Sequence, residues 1–436
     1  MANKNWFRLD NSAKLFPFLT TKDTQNLFRF TVELSQDIFP DKMQEAVDKT
    51  LLRFPSFAVR LRRGVFWYYL EHNDKQLKLR PESDIIMEQI TPHNADGYCF
   101  RVMYYNNRLT LEFFHLLCDG SGALQFIKAL LFNYFKILGL DVSDEGKILT
   151  NDTPIDPMEY EDSFATNYKP IKLKDLDISG MTGSKSQAFT LPGEQFDHLG
   201  KGAITADLNV KELLGYCKSK GYTVTHFLGG LFMYSIYMTK GLEVEDPHDI
   251  TLFVPMNIRK LYGSKTLRNF TLFSRVRAKI KKPNIPLEEF IKIVQDYIEH
   301  CYKKEYLDGN ISTAMMGEKH WLMRILPLSV KHLIFAIHNM ITLKKPTKTA
   351  TFSNIGVADL PKSFEPYVNK ITFMLHACPS VPISFTAITT YETLTLSFVR
   401  LVKDTRVEQF FIKYLADMGF DISVNSNFWE VDNALQ

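Results

Sequence analysis

The chain has 436 residues and a formal net charge of +3. One hydrophobic core stops growing near about 250–300 residues, so two lobes are expected. Near-neutral charge excludes nucleic acid as the main partner, because phosphate binding needs a concentrated basic surface.

The first part of the chain reads as alternating strands and helices. Leu27–Leu34 alternates apolar and polar residues in the manner of a half-buried strand. Met43, Ala46, Val47, Thr50 and Leu51 recur at helical spacing over Asp41–Arg53, with Asp41 as the expected N-cap. Tyr98–Tyr105 and Leu109–Phe114 are two β-rich runs. Asn106-Asn107 between them tolerates positive φ and predicts a tight hairpin. Then comes His115-Leu-Leu-Cys-Asp119-Gly120-Ser121-Gly122. Leu124, Ile127, Leu131, Tyr134, Phe135 and Leu138 follow at three- and four-residue steps and predict a helix stopped by Gly139. His115 is thus expected at a strand end, where α/β sheets usually place their sites.

From Asp141 to Ala203 the chain is polar and rich in Pro. A second α/β block follows. Asn209–Lys220, Thr225–Thr239 and 286–302 predict helices; Ile250–Val254 and Phe270–Arg277 predict strands. Thr349–Ser353, Lys370–His376, Ile383–Thr389 and Leu394–Val399 also read as strands, and Val407–Met418 as a last helix. The expected division is a first lobe over 1–170, a crossover over 171–203 and a second lobe over 204–436. No repeat or low-complexity tract interrupts it.

The five Cys form no CxxC pair, which excludes the usual zinc-ribbon and redox spacings. An odd count fits a reducing compartment. Residues 1–10 hold no apolar signal core, and apolar runs such as Phe227–Met238 fall short of the ~20 residues a bilayer span needs. A cytoplasmic protein without a transmembrane segment is expected. The 34 Phe and 19 Tyr could wall a deep apolar cavity, although core packing is the first account of any single ring.

There is no GxxxxGK[ST] loop, no GxGxxG after a strand, no HExxH and no GxSxG elbow. HxxxDG, as His115-x-x-x-Asp119-Gly120, is what remains. With eleven His, a chance match somewhere in the chain has a frequency of about a few per cent. The plain alternative is a buried, hydrogen-bonded His with Asp119 capping the helix.

The strand–HxxxDG–helix unit resembles the chloramphenicol acetyltransferase-like superfamily, which includes condensation domains, plant BAHD acyltransferases and alcohol acetyltransferases. Val254-Pro255-Met256-Asn257-Ile258-Arg259, followed by Gly263 and Asn269-Phe270, is similar to the family's VPxNxR…N segment. Ser353-Asn354-Ile355-Gly356 resembles its SNxG loop. The order of the three spans nearly the whole chain, and the nearest likeness is to bacterial alcohol acetyltransferase-like proteins. Phe114 stands where many members carry a first His, and the plant DFGWG loop is missing, with Phe352–Gly356 roughly in its place. Leu228-Gly229-Gly230 is similar to a carrier-protein arm site, but Phe232 occupies the position of the modified Ser.

The resemblance implies a two-lobed α/β fold, each lobe a mixed sheet with flanking helices, and an active-site tunnel between the lobes. It implies that His115 is a general base moving an acyl group, acetyl being the simplest, from a thioester to a hydroxyl or amine. Attack is direct, so no acyl-enzyme forms. Asp119 is then structural, paired with Arg259, and Gly120 frees the backbone to turn. Asn354, Ser384 and Thr386 are candidates for stabilising the oxyanion. Cys118 reads as a packing residue, His226 as a cap or core residue, and His376 as a second candidate base. His332 and His338, six apart on a helical stretch, do not share a face for metal binding. The expected co-substrate is acyl-CoA, with no permanently bound cofactor and no metal. The acceptor is a small-molecule alcohol or amine. A condensation-type enzyme fed by an acyl carrier protein, or a non-catalytic binding paralogue, stays open as an alternative.

Overall fold

The computed structural model describes residues 6–21, 24–170, 187–196, 200–244, 248–280, 284–343 and 346–427, with the backbone alone for 338–343. Two large mixed sheets organise the chain.

The first sheet has the strand order Val368–Leu375, Leu27–Leu34, Arg108–Phe114, Phe100–Tyr105, Arg80–Pro81. Alternation in Leu27–Leu34 places Phe28, Phe30 and Val32 in the core. Asn106 takes a φ of 48° in the hairpin between Phe100–Tyr105 and Arg108–Phe114, as its short polar side chain allows. Helices Pro40–Arg53 and Gly120–Ile137 pack against each other. The core beneath is aromatic: Phe57 stacks on Phe126 at 5.1 Å and Phe100 on Phe113 at 5.2 Å. Asp41 does not cap its helix. Pro40 takes the first position after Phe39, and Asp41 sits in the first turn, where its charge still opposes the helix dipole.

The second sheet runs Thr271–Ala278, Ile250–Asn257, Ala350–Val357, Ile383–Thr390, Thr393–Arg400, Gly202–Asn209, Ser423–Ser426. Ala350–Val357 is parallel to both neighbours and the other pairs are antiparallel. Helices Val224–Thr239, Leu287–Cys301 and Arg406–Asp417 share its core. Gly229 and Gly230 serve helix packing here: a β-carbon on Gly230 would lie 2.7 Å from the Ile291 Cα.

One strand crosses the division drawn from the sequence. Val368–Leu375 lies within 204–436 yet pairs antiparallel with Leu27–Leu34. Without it, Leu27–Leu34 would expose an unpaired edge of backbone amides and carbonyls. Phe373 packs on Phe30 at 4.7 Å in the first core. The sheets are tied together at this strand by the Ser384 and Thr386 hydroxyls and by the Lys370–Asp207 ion pair. A small sheet of Trp6–Arg8, Tyr68–His72 and Val59–Arg63 completes the described strands. No described helix is long and apolar enough to cross a membrane.

Candidate active site

His115 follows directly on the strand Arg108–Phe114, and its N–H donates to the Asn26 carbonyl at 3.0 Å. The half-buried ring stacks on Phe16 at 4.9 Å and meets the edge of Phe28 at 5.1 Å. Its Nδ1 lies 2.9 Å from the Asn269 Oδ1. The Asn269 Nδ2 donates to the Asp10 Oδ2 at 3.2 Å, and the other Asp10 oxygen accepts the Ala13 N–H at 2.7 Å.

This chain of contacts sets the imidazole tautomer. A carboxylate accepts only, so the NH2 of Asn269 faces Asp10 and its oxygen faces His115. Nδ1 must then donate, so the neutral tautomer that fits this chain is the one with its lone pair on Nε2. Burial pushes the Asp10 carboxyl up, and the neighbouring Arg268 guanidinium opposes that rise.

Asp119 and Arg259 form the ion pair that the resemblance implies. Nη2 donates to Oδ1 at 2.8 Å, and Nη1 lies 2.8 Å from Oδ2. Asp119 also accepts from Gly122 N (3.2 Å), Phe270 N (3.0 Å) and Thr271 Oγ1 (2.9 Å). The Arg259 guanidinium further donates to the Thr266 carbonyl at 2.8 Å, to the Arg268 carbonyl and to Asn257 Oδ1 at 3.2 Å. Burial alone would raise the Asp119 carboxyl; the Arg259 charge and these donors hold it below its ordinary range. Asp119 is therefore helix cap and buried counter-ion at once, and it clamps the first lobe to the segment 257–271. None of its hydrogen bonds goes to His115.

The close approach that demands glycine falls at Gly122, two positions beyond Gly120. A β-carbon on Gly120 would press on the Ile355 Cδ1 at 2.7 Å, the far end of a flexible side chain. On Gly122 it would lie 1.9 Å from the Leu267 carbonyl oxygen. Gly122 is what lets the helix start abut the second lobe.

The other residues singled out by sequence sit as follows. The Ser384 hydroxyl donates to the Leu375 carbonyl at 2.7 Å, and Thr386 donates to the Phe373 carbonyl. Both are buried with their only proton committed to the backbone, so neither offers one to an oxyanion. Asn354 is also engaged: its Nδ2 donates to Thr225 Oγ1 at 3.1 Å and its Oδ1 accepts the Gly356 N–H at 2.9 Å. Burial pushes the Cys118 thiol well up, which keeps it a protonated packing group. His226 closes a capping box with Thr223. His332 meets the Tyr68 hydroxyl at 2.8 Å. His376 Nε2 accepts the Gln25 N–H at 3.4 Å. The His338 side chain lies outside the described residues. Among the described residues no cluster of His, Cys, Asp and Glu suits a metal ion.

Three contributors escaped the sequence reading. Asn269 lay inside a quoted segment without a role, and that segment was the signal. Phe16 and Asp10 carry no local signal, since only the fold brings residues near position 10 beside 115 and 269.

Comparison with solved structures identifies the fold. Trichothecene 15-O-acetyltransferase from Fusarium sporotrichioides matches with a TM-score of 0.61 at 10% identity, covering 94% of this chain and 93% of that one. Wax ester synthase/diacylglycerol acyltransferase from Marinobacter aquaeolei VT8 matches with a TM-score of 0.54 at 12% identity, covering 94% and 98%. A variant starter condensation domain of rhizomide synthetase, in complex with C8-CoA, matches with a TM-score of 0.58 at 12% identity, covering 94% of each chain. The two-lobed fold is the one these structures share. No protein-family model and no curated protein matches the sequence.

Proposed function

We propose that the protein is an acyltransferase that moves an acyl group from acyl-CoA to a hydroxyl or amine, with His115 as the general base. The observation that carries this reading is the Asp10–Asn269–His115 chain, which orients the ring with Nδ1 as donor and Nε2 as the nitrogen available to take a proton.

An alcohol is a poor nucleophile at neutral pH. An imidazole nitrogen within about 3 Å of its proton can remove that proton as the new O–C bond forms, worth ~10²–10⁴-fold in rate. The oxygen attacks the thioester carbonyl, the tetrahedral adduct collapses, and the proton held on Nε2 passes to the leaving thiolate. No Ser or Cys is acylated. Cys118 is buried and protonated, in keeping with that route. His115 belongs to the first lobe and Asn269 to the second, so in this reading donor and acceptor meet along the lobe junction, in a tunnel. Asp119 and Arg259 hold the two sides of that junction in register.

The donor class rests on likeness to structures such as the C8-CoA complex. Five buried free thiols agree with a reducing compartment, and we assign the protein to the cytoplasm. The test is an acceptor screen with acetyl-CoA, reading free thiol. Thiol release that depends on acceptor supports the reading. Absence of acyl-CoA binding by calorimetry, with turnover only from a carrier-protein thioester, would replace the donor assignment. Absence of turnover from both would leave the fold without this activity.

A further inference from the structure

Exposed apolar side chains occur singly on any globular surface and need no explanation. Here they cluster. Among the described residues, seven of the 28 exposed large hydrophobic ones fall between Trp321 and Ile337. On the helix Leu328–Leu343, Val330, Leu333, Ile334 and Ile337 follow i, i+3, i+4, i+7 spacing and are 38–62% exposed. They form one apolar stripe.

That stripe is not a core face left short of a partner, because the helix already uses its other side. Lys331 donates to the Phe66 carbonyl at 2.7 Å and lies 3.8 Å over the Trp67 ring. His332 holds Tyr68, and Phe335 stacks on Phe18 at 4.6 Å. Leu328 N donates to the Val65 carbonyl at 2.8 Å, which sets the exposed hairpin tip Val65–Phe66 beside the helix start. Trp321, 63% exposed, precedes it on the short helix Trp321–Ile325.

Along this stretch of chain the charge has one sign. From Lys319 to Ala358 the sequence carries six Lys or Arg and no Asp or Glu. At the chain's own frequency, a stretch of that length would hold about four or five acids. Lys319 and Arg324 are exposed, as is Arg63 near the hairpin tip. The nearest acid along the chain, Glu318, is taken by Lys14 at 2.6 Å.

We propose that this face docks the protein on an anionic lipid bilayer, with the helix Leu328–Leu343 lying in the plane of the membrane. Aliphatic side chains and Trp321 enter below the headgroups, while Lys319, Arg324 and Arg63 stay at the level of the lipid phosphates. An apolar stripe with Lys319, Arg324 and Arg63 exposed near it is complementary to that surface in both respects. Docking also brings lipid close to the site: the helix Phe16–Leu19 puts Phe18 against Phe335 and Phe16 against the His115 ring. The proposal does not depend on acyl transfer, since membrane partition is read without turnover.

The experiment is co-sedimentation of the full chain with vesicles of phosphatidylcholine, with and without about a third phosphatidylglycerol. We expect partition into the anionic vesicles that weakens as salt rises through about 0.1–0.5 M. Leu333→Asp with Ile337→Asp should lower that partition about tenfold or more, with a melting curve that overlays the wild type. Arg324→Glu should weaken binding to anionic vesicles only. The proposal is overturned if the wild type stays in the supernatant with both lipids, or if the Leu333/Ile337 variant pellets as the wild type does. It is equally overturned if sedimentation velocity shows a dimer that this variant dissolves while vesicles bind neither form, since a second copy would then cover the face.

Discussion

Asp119→Asn should destabilise the protein by up to about 3–5 kcal/mol, because it leaves a largely buried guanidinium without its counter-ion. The structure refines that figure. After the change Arg259 still donates to two carbonyls and to Asn257, so part of its charge remains solvated by the protein. Arg259→Leu should cost somewhat less, about 2–4 kcal/mol, because Asp119 keeps Gly122 N, Phe270 N and the Thr271 hydroxyl as donors. In the double variant neither buried charge is left facing a missing partner. Its loss should therefore fall short of the summed single losses by about 1.5–3 kcal/mol. Denaturant titrations of the wild type and three variants give the cycle directly, provided one slope fits all four. Thiol release should fall with stability in each variant, since the pair sets the junction beside His115. Additivity within about 0.5 kcal/mol would refute direct coupling.

The site glycines should separate cleanly. Gly122→Ala should cost more than about 3 kcal/mol, because backbone must move, whereas Gly120→Ala asks only Ile355 to shift and should cost under about 1.5 kcal/mol; melting curves of both variants test the contrast. Asn269→Leu should lower kcat by about 10- to 100-fold with donor KM little changed, because the tautomer is no longer fixed; unchanged kcat would remove Asn269 from the mechanism. Burial, with Asp10 adding, pushes the Asp162 carboxyl up to about 6. A raised carboxyl favours the folded state while protonated, so its contribution is lost as pH rises from about 4 to 6 and then stays constant. Asp162→Asn should flatten stability across that window by up to about 3 kcal/mol, less for its partial exposure, while keeping the helix cap; an unchanged slope in pH-dependent denaturation would count against it.

Elements with a strong local period were legible in the sequence. Leu27–Leu34 occupies the expected residues, and the helix after HxxxDG runs over Gly120–Ile137, followed by Gly139 at a φ of +75°. The strand Gly202–Asn209 was hidden because it begins at the end of the polar crossover and mixes Thr, Asp and Asn with its apolar residues. Asp41 was misplaced as a cap because Pro40 supplies the preferred first-position residue instead. The strand Val368–Leu375 was recognised as a strand, but periodicity carries no information on which sheet takes it. At the site, His115, Asp119 and Arg259 came from one contiguous motif and one short segment. Asp10 was out of reach because its role exists only through the fold, 259 positions from Asn269. Ser384 and Thr386 sat on the expected late strand, yet their hydroxyls bridge to the neighbouring sheet. Donor capacity depends on partners that sequence spacing does not reveal.

The central claim is that His115 takes the acceptor's proton. The most direct measurement is thiol release from acetyl-CoA, in the presence of a turned-over acceptor, by wild type and His115→Ala. The variant should lose ~10²–10⁴-fold in kcat with donor affinity and melting temperature nearly unchanged, as expected when a general base alone is removed. Thiol release at the wild-type rate would contradict the account, whatever the fold.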